Sequence, residues 1–78
     1  MKKTTLIKLR KNKKVKISEI SGGASLQNRL MSMGIYKGRE ITKLSHFALR
    51  GPVAIRVGRS VVALGHDMAE KIIVDTND

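Results

Sequence analysis

His46 and His66 are the only imidazoles of this chain, and His66 stands directly before Asp67, which makes it the one histidine with an acid at its side. Consecutive residues point apart on a strand or helix, so that neighbour is poorly placed as a catalytic partner. No serine sits in a nucleophile motif and there is no cysteine, so the nucleophile half of a nucleophile–base pair is missing. Imidazole and carboxylate suit a borderline divalent ion, and His46, His66, Asp67 and Glu70 are of the right types. Their spacing forms no recognisable ligand set. Met31, Met33 and Met68 could suggest soft-metal ligands, but methionine at helical spacing beside leucine more often packs than binds metal. Gly22-Gly23 precedes a helical pattern, as a phosphate cradle would, but the Gly-Lys-Ser/Thr ending is missing and the pair reads as a turn. No catalytic residue, metal ligand or cofactor site is assigned.

Charge is the next chemical signal. The formal net charge is +10, and eight of the 16 lysines and arginines precede the first acid, Glu19. From Ile17 onward eight cations face six acids, a balance of +2. The basicity is therefore an N-terminal field, able to attract phosphate, lipid headgroups or an acidic protein surface, and weakened by salt. The plainer reading is a solvated strand edge whose lysines discourage edge-to-edge pairing. Tyr36 and Phe47 are the only aromatics, too few to stack single-stranded bases, which argues against nucleic acid as a partner.

Protein binding has better candidates. In the 46–50 loop Phe47 and Leu49 are apolar, with Arg50 beside them, and an aromatic near an arginine is a common interface anchor. The alternative is that Phe47 covers one open end of the fold. On the helix described next, Gln27, Arg29 and Met31 fall outside the buried stripe and offer a second contact surface.

The elements that position these residues are mostly short strands. Leu26, Leu30 and Met33 recur on one helical face and predict a helix over 25–33, with Ser25 as N-cap. Gly34 supplies the left-handed stop and Ile35 folds back on Leu30. Lys37-Gly38 makes a tight turn into a strand beginning at Glu40. Ahead of the helix, an extended or irregular opening over 4–9 and a loop around Asn12 lead to a strand over 15–20, closed by Gly22-Gly23. Gly51-Pro52 starts another strand, in which Val53, Ile55 and Val57 alternate with Ala54 and Arg56. Gly58-Arg59 fits a two-residue hairpin turn back through 61–64. A helical turn over 67–71, capped by Asp67, precedes a last strand over 72–74 and a polar tail. The predicted class is mainly β, about five strands and one inserted helix. A chain of 78 residues is too small for two layers, so the sheet is expected to curl into a small barrel, which removes exposed edges.

Size and composition set the remaining bounds. The chain is expected to be one domain over 1–78 with its core over about 6–74, burying roughly 60% of its unfolded surface. With 41% hydrophobic residues and two aromatics, the core is aliphatic. No disulfide is possible, and no apolar run approaches the roughly 20 residues that span a bilayer. The basic start leads into no signal-peptide hydrophobic stretch, and the expected location is cytoplasmic, without membrane insertion.

Taken in order, Gly22-Gly23, Arg29-Leu30 with Met33-Gly34-Ile35, Lys37-Gly38 with Ile41, Gly51-Pro52, Val57, Val62-Ala63-Leu64 and Ala69, Ile72, Val74 resemble one family. The chain is similar to ferrous iron transport protein A (FeoA) over nearly its whole length, and its core also resembles the C-terminal domain of iron-dependent repressors. The resemblance implies a Src-homology-3-like barrel and no catalysis of its own. It further implies a cytoplasmic role assisting the membrane ferrous iron transporter (FeoB), whose cytoplasmic part is a GTPase. Two departures stand out: Asn12 replaces a usual glycine, and Lys37 a usual proline. Asparagine tolerates the left-handed region, so the fold is expected to survive both. The competing functions are a small basic barrel binding nucleic acid and a stand-alone iron-responsive regulatory domain.

Overall fold

The computed structural model describes residues 2–48 and 50–77. Its elements in chain order are β1 (Lys2–Thr5), β2 (Lys14–Ile20), α1 (Ala24–Met31), β3 (Glu40–His46), β4 (Val53–Val57), β5 (Ser60–Leu64), α2 (His66–Glu70) and β6 (Ile72–Thr76). All six strands form one antiparallel sheet in the order β1-β6-β2-β3-β4-β5. One strand more is present than the pattern predicts. β1 escapes sequence reading because Lys-Lys-Thr-Thr has no apolar alternation, and its place comes from backbone pairing with β6, Lys2↔Thr76 through Thr5↔Ile73. The same pairing carries β6 through Asp75 and Thr76, residues expected in a polar tail, and buries Thr76.

The expected closure into a barrel is not shown by this order. Among the described residues β1 and β5 end the sheet and no ladder joins them. Irregularities between Ile17 and Glu19 and between Lys43 and Ser45 shift the register, as bulges do. One face of the sheet collects a single aliphatic cluster in which Leu6, Ile17, Leu30, Ile35, Ile41, Val53, Ile55, Leu64, Ile72 and Val74 are all essentially inaccessible. Leu6 and Leu9 reach this core from a turn, the irregular alternative of the opening expected there.

The β4–β5 hairpin follows the sequence closely. Val57 pairs with Ser60 across Gly58-Arg59, and Gly58 takes φ 60°, the left-handed value that such a two-residue turn demands. α1 is shorter than predicted and begins one residue earlier. Gly23, not Ser25, is its N-cap, and no side chain caps it. Ser25 is already inside the helix, because the chain turns helical directly after Gly23, which is itself still extended at ψ 178°. The stop is as expected: Gly34 has φ 82°, its N–H donates to the Met31 carbonyl at 2.9 Å, and the Ile35 N–H donates to the Leu30 carbonyl at 2.9 Å. This is the paired 5→2 and 6→1 bonding of a Schellman end. α2 likewise begins earlier, over His66–Glu70, with Gly65 rather than Asp67 as N-cap. Asn12 does adopt the left-handed region, at φ 65°, and Gly38 sits at φ 92° in the turn that feeds β3.

Candidate partner-binding surface

The helix stop that places Ile35 in the core also throws Tyr36 outward. Tyr36 is 38% exposed and Met31, one turn before the stop, is 57% exposed. Together with Glu19 and Ile20 from the end of β2, Gln27 from α1, and Ile35 and Lys37, they line a groove of about 420 Å³. Tyr36 is held from behind. The Arg39 guanidinium lies 5.7 Å from its ring centre and donates to the phenol oxygen at 3.2 Å. A cation over the ring and a bond to the hydroxyl fix the aromatic edge before any partner arrives.

Gln27, expected as a contact residue, has an internal task. Its amide nitrogen donates to the Gly22 carbonyl at 3.1 Å and to the Ile20 carbonyl at 3.5 Å. It therefore ties α1 to the end of β2 and forms the groove wall. Arg29 is exposed in the last helical turn, where it complements the helix dipole, and does not line this groove.

The second expected surface lies elsewhere. Phe47 is 59% exposed and outside the core cluster, so it does not serve as a lid on that core. Its loop is shaped by two backbone features. Ala48 takes φ 61°, and Gly51 approaches the Phe47 carbonyl so closely that a Cβ there would overlap its oxygen. Leu49 lies outside the described residues. Arg50 lines a different depression, with Gly65, His66, Asp67 and Met68, that shares no residue with the α1 groove. Of the six expected contact residues, the fold thus brings together Gln27 and Met31 and places Arg50 and Phe47 on a separate loop.

The sheet brings the two histidines together in space. His46 pairs with Val53, Val53 pairs with Leu64, and His66 follows two residues later, which sets the rings 6.3 Å apart between centres. The acid partner of His66 is Glu70 at 3.4 Å, one helical turn on, rather than the adjacent Asp67. His46 Nε2 and His66 Nδ1 are buried without a hydrogen-bond partner. Among the described residues no group of three or more histidine, cysteine or acidic side chains is placed to hold a metal ion.

A buried cation escaped the sequence reading entirely. Lys43 is 3% exposed, and its ammonium donates to the Leu9 carbonyl at 2.6 Å and the Ile7 carbonyl at 2.9 Å. Burial away from water lowers its pKa from the ordinary 10.5. It faces the core side of β3 beside Ile41 and anchors the loop that carries Leu6 and Leu9. Tyr36 was also missed, although an aromatic directly after a helix stop, in a chain with two aromatics, is a usable signal.

The FeoA domain model matches residues 4–76, almost the full extent of the sheet. An iron uptake regulatory protein (FeoA) of known crystal structure is similar at 28% identity and TM-score 0.85, over 96% of this chain and 97% of its own. The FeoA-like protein from Clostridium acetobutylicum is similar at 26% identity and TM-score 0.83, over 100% of this chain and 91% of its own. A manganese-dependent transcriptional repressor shares the fold, with TM-score 0.83 and 20% identity over 92% of this chain and 40% of its own length. No curated protein matches the chain. No helix among the described residues is long and apolar enough to cross a membrane. A match that runs from β1 to β6 places this chain in the FeoA domain family, generally non-catalytic and linked to ferrous iron transport.

Proposed function

We propose that this protein is a non-enzymatic accessory of ferrous iron uptake that docks on the cytoplasmic GTPase part of the membrane ferrous iron transporter, FeoB, and changes its activity. The observation that carries the reading is the groove between α1 and the end of β2. There a small basic domain leaves Met31 and a braced Tyr36 facing solvent. Large apolar side chains held at the rim of a groove are what a partner's helix or loop can bury. The Phe47–Arg50 loop is a second contact in the same reading, reaching the partner from another side. Cytoplasmic location follows from such a partner.

The test is calorimetric binding of the full chain to the transporter's cytoplasmic domain, alongside ferrous uptake by cells that lack or carry this protein. Met31→Glu and Tyr36→Ala are expected to weaken binding by about tenfold or more each, the loss typical of an interface anchor. Their circular dichroism is expected to stay as in the parent, since both side chains are exposed. Absence of binding together with unchanged uptake in cells lacking the protein overturns the reading.

A further inference from the structure

The two ends of the sheet are finished differently. At one end β1 carries Lys2 and Lys3, both exposed, and charged side chains guard an edge against unwanted pairing. At the other end β5 reads Ser-Val-Val-Ala-Leu, with no charge and no proline, and Val61 on it is 59% exposed. The hairpin register says which backbone groups face outward. Val57 and Ser60 close a two-residue turn and so exchange hydrogen bonds, as do Ile55 with Val62 and Val53 with Leu64 by alternation. The N–H and C=O of Val61 and Ala63 therefore point away from β4. Among the described residues no other backbone bond reaches them.

We propose that β5 is a pairing edge for a second copy of this chain, joined antiparallel about a two-fold axis at Val62. In that register Val61 of each copy faces Ala63 of the other. The two outward residues then exchange all their N–H and C=O groups across the axis, extending the sheet through both molecules. The side chains agree with the backbone, because Val61 and Ala63 are both exposed on the outer face and meet as apolar cross-strand pairs. Charge selects a second copy over an arbitrary strand. The register sets Arg59, just before β5, opposite Gly65 of the second copy and next to that copy's Asp67. Neither Arg59 nor Asp67 has an ion-pair partner among the described residues. The two-fold makes the Arg59–Asp67 contact twice. This pairing uses neither the α1 groove nor the Phe47 loop, so it stands or falls apart from transporter docking.

Sedimentation equilibrium of the full chain tests it, in about 0.3 M salt so that repulsion between two copies of net charge +10 is screened to less than about 8 Å. A monomer–dimer equilibrium is expected, with hydrogen exchange at the Val61 and Ala63 amides slowing as concentration rises while exchange along β1 does not change. Val61→Lys puts two cations at the axis and is expected to weaken the dimer by about tenfold or more, with circular dichroism unchanged. Arg59→Glu is expected to weaken it as well, and Arg59→Glu with Asp67→Arg to restore it. A protein that stays monomeric at about 1 mM, a concentration at which even an interaction of about 4 kcal/mol is half formed, overturns the proposal and leaves the edge to a strand of another protein. A dimer whose Val61 and Ala63 amides exchange at the same rate at every concentration overturns it too. Failure of the charge swap to restore pairing overturns the register.

Discussion

Replacing Lys43 with methionine separates two opposing effects that the structure puts on one side chain. The ammonium is buried at 3% exposure and reaches the Leu9 and Ile7 carbonyls at 2.6 and 2.9 Å. The backbone of the same residue accepts from the Asn12 N–H and donates to the Lys13 carbonyl. Methionine keeps the aliphatic stem and the backbone bonds but leaves two carbonyls without their donor. Each hydrogen bond to a charged group is worth about 1.5–3 kcal/mol, while removing the buried charge recovers part of its desolvation cost. The net expectation is a loss of about 2 kcal/mol, a large share of the roughly 4–12 kcal/mol that a domain of this size has in total. Urea unfolding followed by circular dichroism measures it. Unchanged stability would refute the anchoring role.

The pH dependence of that difference tests the burial argument separately. The folded pKa of Lys43 is lowered below 10.5. Between the lowered value and 10.5 the unfolded chain binds more protons at this site than the folded chain, so stability rises with pH through that window. Below the window the cost of holding the charge is present in full. Other lysines titrate identically in parent and variant and cancel in the difference. The advantage of the parent over Lys43→Met is therefore expected to grow between neutral pH and pH 10.5. A difference that stays level or shrinks would show that burial does not disfavour the ammonium.

The remaining predictions concern backbone conformation and the histidine pair. Gly23, the uncapped N-cap of α1, has φ −79° and open space around a would-be Cβ, so Gly23→Ser is expected to stabilise by about 0.5–1 kcal/mol. Gly34→Ala is expected to cost about 1–2 kcal/mol or more, because φ is 82° and the new Cβ would press on Val57 at 3.2 Å. Opposite shifts of the urea midpoint check the two together, and equal shifts contradict the assigned conformations. His46→Phe keeps a ring beside His66 and removes a buried, unpartnered nitrogen. It is expected to raise stability by about 1 kcal/mol, and a comparable loss in the same unfolding assay would show that the nitrogen has a partner.

The parts of the fold legible in the sequence are those where one local rule dominates. Alternation at Val53, Ile55 and Val57 and the glycine at position 58 are enough for the hairpin. Gly34 and Ile35 are enough for the helix stop, since the Schellman bonds involve only residues within one turn. The failures share a different cause. β1 is a strand because β6 is there to pair with, and nothing in Lys2–Thr5 announces it. Ser25 and Asp67 are good caps in type, but the chain enters each helix one or two residues sooner, from Gly23 and Gly65. Barrel closure was inferred from the cost of open edges; among the described residues no ladder joins β1 to β5, and lysines guard the β1 edge.

The site was harder to read because its chemistry is made by contacts between distant segments. Strict alternation along β3 points Lys43 inward beside Ile41, an arrangement that sequence reasoning rejects for a lysine. It becomes acceptable only once the loop from β1 to β2 presents two carbonyl oxygens to the ammonium. The histidines are 20 residues apart in the chain, and only the two successive pairings through Val53 bring their rings into contact. Tyr36 differs from both. Its exposure follows from the local stop that buries Ile35, and its brace, Arg39, is three residues on, joined through the turn at Gly38. The placement of Tyr36 in the groove is therefore encoded within one short segment. Tyr36 lies beyond the last residue of α1, where helical periodicity carries no signal.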